Sequence, residues 1–206
     1  RYAPPGFGRR RGWMLLTHGG LLLVIGGIGL LSPRLDLSQI VILALLLAFL
    51  SATQDVVIDA FRREILSEQE LGLGNSIHVN AYRIAGLIPG SLSMILSEHL
   101  PWSQVFAITA LFMLPGMVMA FMVNEPQNVR VAPKSLREAV VEPFHEFINR
   151  AGIKEALLIL GFIFLYKLGD SLCTALATPF YLSMGYSSTH IGLVAKNAGL
   201  WPAVIG

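Results

Sequence analysis

Six ionisable residues interrupt otherwise apolar stretches of this sequence: Asp55, Asp59, Arg83, Lys167, Asp170 and Lys196. In an apolar surround such groups are costly, so they face one another or a water-filled cavity. Asp55 and Asp59 are four residues apart and share one helix face, about 6 Å along the axis. A carboxylate there can carry a proton, because desolvation raises its pKa and an approaching cation lowers it. Asp55 is the candidate for that role. The plainer alternative is that both acids pair with arginines and hold a gate shut, and Asp59, nearer Arg62 and Arg63, suits this better. Arg83, with His78, Asn80 and Tyr82 close by, needs either an acid or an anionic solute. Lys167 and Asp170 are three residues apart and can pair with each other. Lys167 and Lys196 together make a cationic wall that suits an anionic ligand. Gln54 closes the small polar run Ser51-Ala52-Thr53. Asn197 follows Lys196. Such a stretch lines a cavity or packs polar side chains between helices.

The elements that must position these residues are membrane spans. Hydrophobic residues make up 54% of the chain and charged ones 14%, against about 25% charged in ordinary soluble domains. The mean hydropathy is +0.63. A net charge of only +2 removes nucleic-acid binding by bulk charge, and one cysteine removes a disulfide scaffold or a Cys-based zinc site. Residues 13–31, 37–54, 99–124, 156–166 and 171–195 contain no Asp, Glu, Lys or Arg. A spanning helix needs about 20 mostly apolar residues. The pattern predicts helices over 13–31, 37–61, 73–97, 102–123 and 155–183, with a sixth from about 189. The runs are too long, and lack the alternation, for barrel strands. The sequence has no initiator Met and stops inside an apolar segment, so the expectation is a piece of a larger bundle with helices missing at both ends.

Loop charge sets the orientation. Arg1, Arg9, Arg10, Arg11, Arg62, Arg63, Arg130, Lys134, Arg137, Arg150 and Lys154 fall on one set of loops, and only Arg34 on the other. The positive-inside rule puts the first set in the cytoplasm. In the long loop 124–154, Leu136, Val140, Phe144, Phe147 and Ile148 recur near helical spacing. They predict an amphipathic surface helix, opened by Pro133 and kinked at Pro143. The expected domains are therefore 1–123 as part of an N-terminal bundle, 124–154 as a central cytoplasmic loop, and 155–206 as the start of a C-terminal bundle. Gly86 and Gly90 around Pro89, Pro115–Gly116 and Pro179 mark places of close packing or bending. No nucleophile elbow, phosphate loop or zinc-protease motif is present, and the five histidines are scattered. The expectation is a non-enzyme without cofactor or metal, whose partners are a small solute, protons and the lipid bilayer.

The first loop resembles that between the second and third helices of major facilitator transporters, whose motif is roughly G-x-x-x-D-R-x-G-R-R. Arg1 and Gly8-Arg9-Arg10 match its tail, with extra residues between. G-R-R-R-G-W at 8–13, S-A-T-Q-D-V-V-I-D-A-F at 51–61, P-K-S-L-R-E-A-V-V-E-P at 133–143 and L-Y-K-L-G-D at 165–170 resemble the AmpG-type muropeptide permeases of that superfamily. The resemblance implies helices 3–8 of a larger all-α transporter in the bacterial inner membrane. It further implies proton-driven import of N-acetylglucosaminyl-1,6-anhydro-N-acetylmuramic acid, with or without peptide, for cell-wall recycling, linked to β-lactamase induction. On that footing Gln54, Asn80, Tyr82 and Asn197 would bond sugars, with Asp170 beside Lys167 in the same site. Arg83, Lys167 and Lys196 would meet carboxylates, and Arg9, Arg10 and Asp59 would form a cytoplasmic latch. The alternatives are a transporter of another anionic solute such as a peptide or coenzyme A conjugate, a non-transporting scaffold, or a membrane enzyme acting on lipid-linked sugars.

Overall fold

A computed structural model describes residues 8–125 and 136–198, and among them the chain is helical without strands. These residues belong to two compact units, Arg1–Asn128 with Ser187–Gly206, and Val129–Tyr186.

In the first unit α1 (Arg9–Gly29) is the hub and packs on α2 (Leu37–Ile65), α5 (Trp102–Leu111) and α6 (Leu114–Met122). Its glycine face is the reason. A Cβ on Gly29 would lie 2.5 Å from the Cβ of Phe106, and one on Gly20 would lie 3.0 Å from Leu50 Cδ1. Small residues let helices approach where lipid supplies no hydrophobic drive. Met14, Val57 and Ala120 form a buried cluster, with Trp13, Leu15, Ile58 and Phe61 against it. Of α1's most apolar window 39% is buried, against 6% of α2's. The rest of α2 is an apolar surface of the kind that meets lipid or further helices. Its 29 residues reach about 44 Å, beyond the roughly 30 Å hydrocarbon layer, so the turns carrying Asp59 to Glu64 extend to the membrane interface.

The third expected span is not one uniform helix. Ser67 and Glu70 form a capping turn: the Ser67 N–H and hydroxyl donate to the Glu70 carboxylate at 3.0 and 2.7 Å. From it α3 (Leu71–Ala85) starts, passes a turn at Gly86, and runs through a π-helical turn Ile88–Leu92 into α4 (Ser93–Leu96). Pro89 causes the change, because it has no N–H and its ring crowds the carbonyl four residues back. The fourth span is also broken. The Phe112 and Met113 N–H groups reach only three residues back, to the carbonyls of Thr109 and Ala110. Pro115, which cannot donate to Leu111, follows. The last described segment is α9 (Ser188–His190), a π-helical turn Ile191–Ala195 and α10 (Lys196–Ala198).

In the second unit α7 (Leu136–Ala151) packs on α8 (Ile153–Ser183). The expected amphipathic helix is α7, and Pro143 lies inside it; Pro133 lies outside the described residues. Gly152, at φ +81°, turns the chain from α7 into α8, a conformation open to glycine. Pro179 lies inside α8, whose helix runs on through it. Among the described residues, four segments are long and apolar enough to cross a membrane: Arg9–Gly29, Leu37–Ile65, Trp102–Met122 and Ile153–Ser183. The chain is a multi-pass membrane protein.

Candidate functional site

Asp55 and Asp59 of α2 line a cleft with His78, Val79 and Tyr82 of α3, about 310 Å³ in volume. This lies at the small end of ligand-site volumes, about 300–1,000 Å³. The i,i+4 spacing of the acids places both carboxylates on the α3 side of α2. Tyr82 and His78 are four apart on α3 and line the other side of the cleft. Asn80 is half-buried and Arg83 exposed, in the last turns of α3. Asp59 accepts a hydrogen bond from Arg62 Nη2 at 2.8 Å, a pair within one helix.

The partner that Arg9 and Arg10 meet is not Asp59 but Glu64, one turn further along α2. Arg10 Nε donates to both Glu64 oxygens, at 3.2 and 3.1 Å, its Nη2 adds a further contact, and Arg9 Nη2 lies 3.4 Å away. Asp59 is five residues nearer the middle of α2 and is held by Arg62, whereas Glu64 at the end of α2 is within reach of the arginines at the start of α1. A second acid completes this end. Glu125, just beyond α6, accepts the backbone N–H groups of Arg10 at 2.8 Å and Arg11 at 3.1 Å. These are orphan donors of a helix start, where a negative charge is favoured. Gly8 makes room, since its φ is +80° and a Cβ there would lie 2.7 Å from Glu125 Oε2. The Arg11 guanidinium donates to the carbonyls of Ala120 and Phe121, at 3.0 and 2.6 Å, at the close of α6. The glycine-arginine run at 8–11 thus ties α1 to the ends of α2 and α6. Neither Glu64 nor Glu125 was among the sequence candidates. Their signal is faint: Glu64 follows two arginines at the end of α2, and Glu125 closes the apolar run 99–124.

Gln54 does not share the cleft of its neighbour Asp55. Its side-chain amide nitrogen lies 3.0 Å from His18 Nε2 on α1, and His18 Nδ1 lies 2.8 Å from the Met14 carbonyl. His18 is buried, at 8% exposure. In the sequence it is only one of five scattered histidines.

Asn197 sits where the two π-helical turns meet. Ser91 Oγ donates to the Gly192 carbonyl at 2.7 Å. The Asn197 amide donates to that carbonyl at 3.0 Å and to Ser91 Oγ at 3.3 Å. A Cβ on Gly192 would lie 2.8 Å from the Ser91 carbonyl oxygen. At the rim, Glu98 accepts the Thr189 backbone N–H at 2.8 Å and its hydroxyl at 2.5 Å. The Thr189 hydroxyl and backbone bonds hold the Glu98 carboxyl below the ordinary value of 4.5, against a small opposing effect of desolvation. Lys196 opens α10. In the second unit Lys167 Nζ and Asp170 Oδ2 lie 4.0 Å apart, with both side chains mostly exposed. The structure thus brings Asp55, Asp59 and Tyr82 together and pairs Lys167 with Asp170. It gives Gln54 and Asn197 to helix contacts.

The sequence profile of the Major Facilitator Superfamily matches residues 6–206. An uncharacterized protein of Haemophilus influenzae is 48% identical over 207 residues, which cover this whole chain and 49% of the relative. The anhydromuropeptide permease of Escherichia coli (strain K12) is 38% identical over 208 residues, covering this whole chain and 42% of the relative. The putative transporter AmpG 4 of Rickettsia conorii is 30% identical over 207 residues, with 97% of this chain and 49% of the relative covered. The chain spans about half the length of the curated relatives it matches. With apolar spans, broken helices at proline and a basic loop clamped to the helix ends, this chain belongs to the Major Facilitator Superfamily.

Proposed function

We propose that the protein containing this chain imports anhydro-muropeptides across the bacterial inner membrane, driven by protons, as part of cell-wall recycling. By returning these fragments to the cytosol it feeds the signal that induces β-lactamase. The observation that carries the reading is the 38% identity to the Escherichia coli anhydromuropeptide permease along the whole chain. The acid-lined cleft between α2 and α3 supports it, since paired carboxylates beside a tyrosine and a histidine suit both proton exchange and hydroxyl binding. Asp55 is the proton-coupled acid. Asn80 and Tyr82 bond sugar hydroxyls, and Arg83 receives a carboxylate. On the later helices Lys167, with Asp170 beside it, and Lys196 receive carboxylates, and Gln54 and Asn197 shape helix contacts within the first unit. Arg9 and Arg10 form the cytoplasmic latch on Glu64, with Asp59 joining through Arg62.

The test is uptake of labelled anhydro-muropeptide by the full-length protein in cells lacking their own permease, with and without a protonophore. The expected result is uptake that the protonophore abolishes and that unlabelled anhydro-muropeptide, but neither peptide nor coenzyme A, competes away. Uptake indifferent to the protonophore would keep the substrate and remove proton coupling. No uptake would remove the substrate.

A further inference from the structure

Buried His18 and half-buried Gln54 have together a hydrogen-bond logic that neither has alone. A carbonyl oxygen only accepts, so the 2.8 Å contact to Met14 places a proton on His18 Nδ1. In the neutral ring Nε2 is then an acceptor, and it takes an N–H from the Gln54 amide at 3.0 Å. That fixes the amide. Its other atom, Oε1, is buried and without a hydrogen-bond partner among the described residues. An orphaned buried acceptor is rare in a native fold and calls for a physical explanation. Gly116 of α6 closes over the ring, where a Cβ would come within 2.1 Å of Nε2, so the imidazole has no room to swing away.

We propose that His18 is a proton-operated positioning residue for Gln54, which sets whether that side chain presents an acceptor or a donor inside the helix bundle. A proton arriving from water adds to the lone pair of Nε2, while the Nδ1–H bond to Met14 stays in place. Nε2–H can then no longer accept from the amide. The amide group rotates by about half a turn, a soft torsion for glutamine, so that Oε1 accepts from Nε2–H. The NH2 group then occupies the place that Oε1 held. A solute or helix group offering a hydroxyl or N–H matches the neutral state, and one offering a carboxylate or carbonyl matches the protonated state.

Few other charges bear on His18. On α1 the nearest are Arg9 to Arg11, seven or more residues away and engaged with Glu64, Glu125 and helix carbonyls. On α2, Asp55 adjoins Gln54 in sequence, and Asp55 and Asp59 line the cleft toward α3. From Trp102 to Met122, α5 and α6 carry no ionisable residue. The inference deepens the proton-driven reading and rests on it for its role in transport.

The experiment is nitrogen NMR of the full-length protein in lipid nanodiscs, with histidine rings and glutamine side chains labelled. Spectra from high to low pH are compared. His18→Gln or His18→Asn assigns the ring signal, and Gln54→Leu or Gln54→Glu the amide signal, so failure of one variant to fold leaves the test standing. The expected result is an Nδ1–H ring at high pH, both nitrogens protonated at low pH, and a Gln54 amide shift with the same midpoint. Gln54→Glu should put a proton on Nε2 even at high pH, because a carboxylate only accepts. A ring that keeps one state throughout, or a Gln54 amide that ignores the ring's titration, overturns the proposal. No solute is present, so failed muropeptide uptake with an intact switch would sink only the substrate, and working uptake without the switch would sink only this inference.

Discussion

Asp55 and Asp59 carry the same side chain on one helix face, and their surroundings differ. Asp59 is held by Arg62 at 2.8 Å, whereas Asp55 shares the cleft with Tyr82 and His78. One proton moving down about 100 mV supplies about 2.3 kcal/mol, or about 50-fold accumulation of solute. Asp55→Asn should therefore abolish that accumulation while leaving solute exchange at equal concentrations intact; the ratio of internal to external label in energised vesicles reads this. Glu64→Gln removes the charge shared by Arg9 and Arg10. A charged hydrogen-bond partner that is mostly buried contributes about 1–3 kcal/mol, so a lower thermal midpoint is expected for Glu64→Gln in detergent. Asp59→Asn, whose acid is more than half exposed, should change the midpoint by much less.

Among the elements, α1 is held by contacts that admit no extra atom. Gly116→Ala brings a Cβ into the His18 ring, and overpacking of that kind costs about 1–3 kcal/mol. Thermal unfolding of the variant should show that loss, and truncation of the ring in a Gly116→Ala, His18→Ala double variant should recover part of it. The junction of the two π-helical turns answers to pH through Glu98. Its folded pKa lies below 4.5, so its bonds to Thr189 stabilise the junction fully above that value. That stabilisation is lost as pH falls through the lower folded value. Hydrogen exchange at the Thr189 amide, corrected for intrinsic rate, should show protection at neutral pH that persists through the ordinary carboxylate value of 4.5 and is lost only below it. Glu98→Gln should lack that pH dependence.

For the whole molecule, the charge asymmetry between loops and the clamp at residues 8–11 agree on which ends lie together. The start of α1, the end of α2 and the end of α6 are joined by Glu64, Glu125 and Arg11, and these are the ends rich in arginine. In a Cys173→Ser background of the full-length protein, an impermeant thiol reagent should label Arg34→Cys in intact cells. Arg63→Cys should react only after the inner membrane is opened. The reverse pattern would invert the topology. A large apolar surface stays exposed on α2 and α8, including Leu45, Phe49, Phe162 and Leu165. These faces suit lipid and the helices of a longer transporter.

The apolar runs alone determined the all-helical membrane class and the edges of most spans, because a bilayer demands about 20 apolar residues in a helix whatever surrounds it. Spacing alone also put Asp55 and Asp59 on one face and made Lys167 and Asp170 neighbours, since the helical period is local. Tertiary structure decided which partner each polar group took. Arg9 and Arg10 met Glu64 instead of Asp59, because the end of α2, and not its last apolar turn, lies level with the start of α1. Gln54 turned to His18 and away from the cleft, a choice set by which side of α2 faces α1. Proline positions were visible in the sequence, but whether each would break its helix was not. Pro89 and Pro115 lie at interruptions, whereas Pro143 and Pro179 lie inside continuous helices. The carbonyl that a proline frees must find another partner or tolerate its loss, and the neighbouring helices decide which.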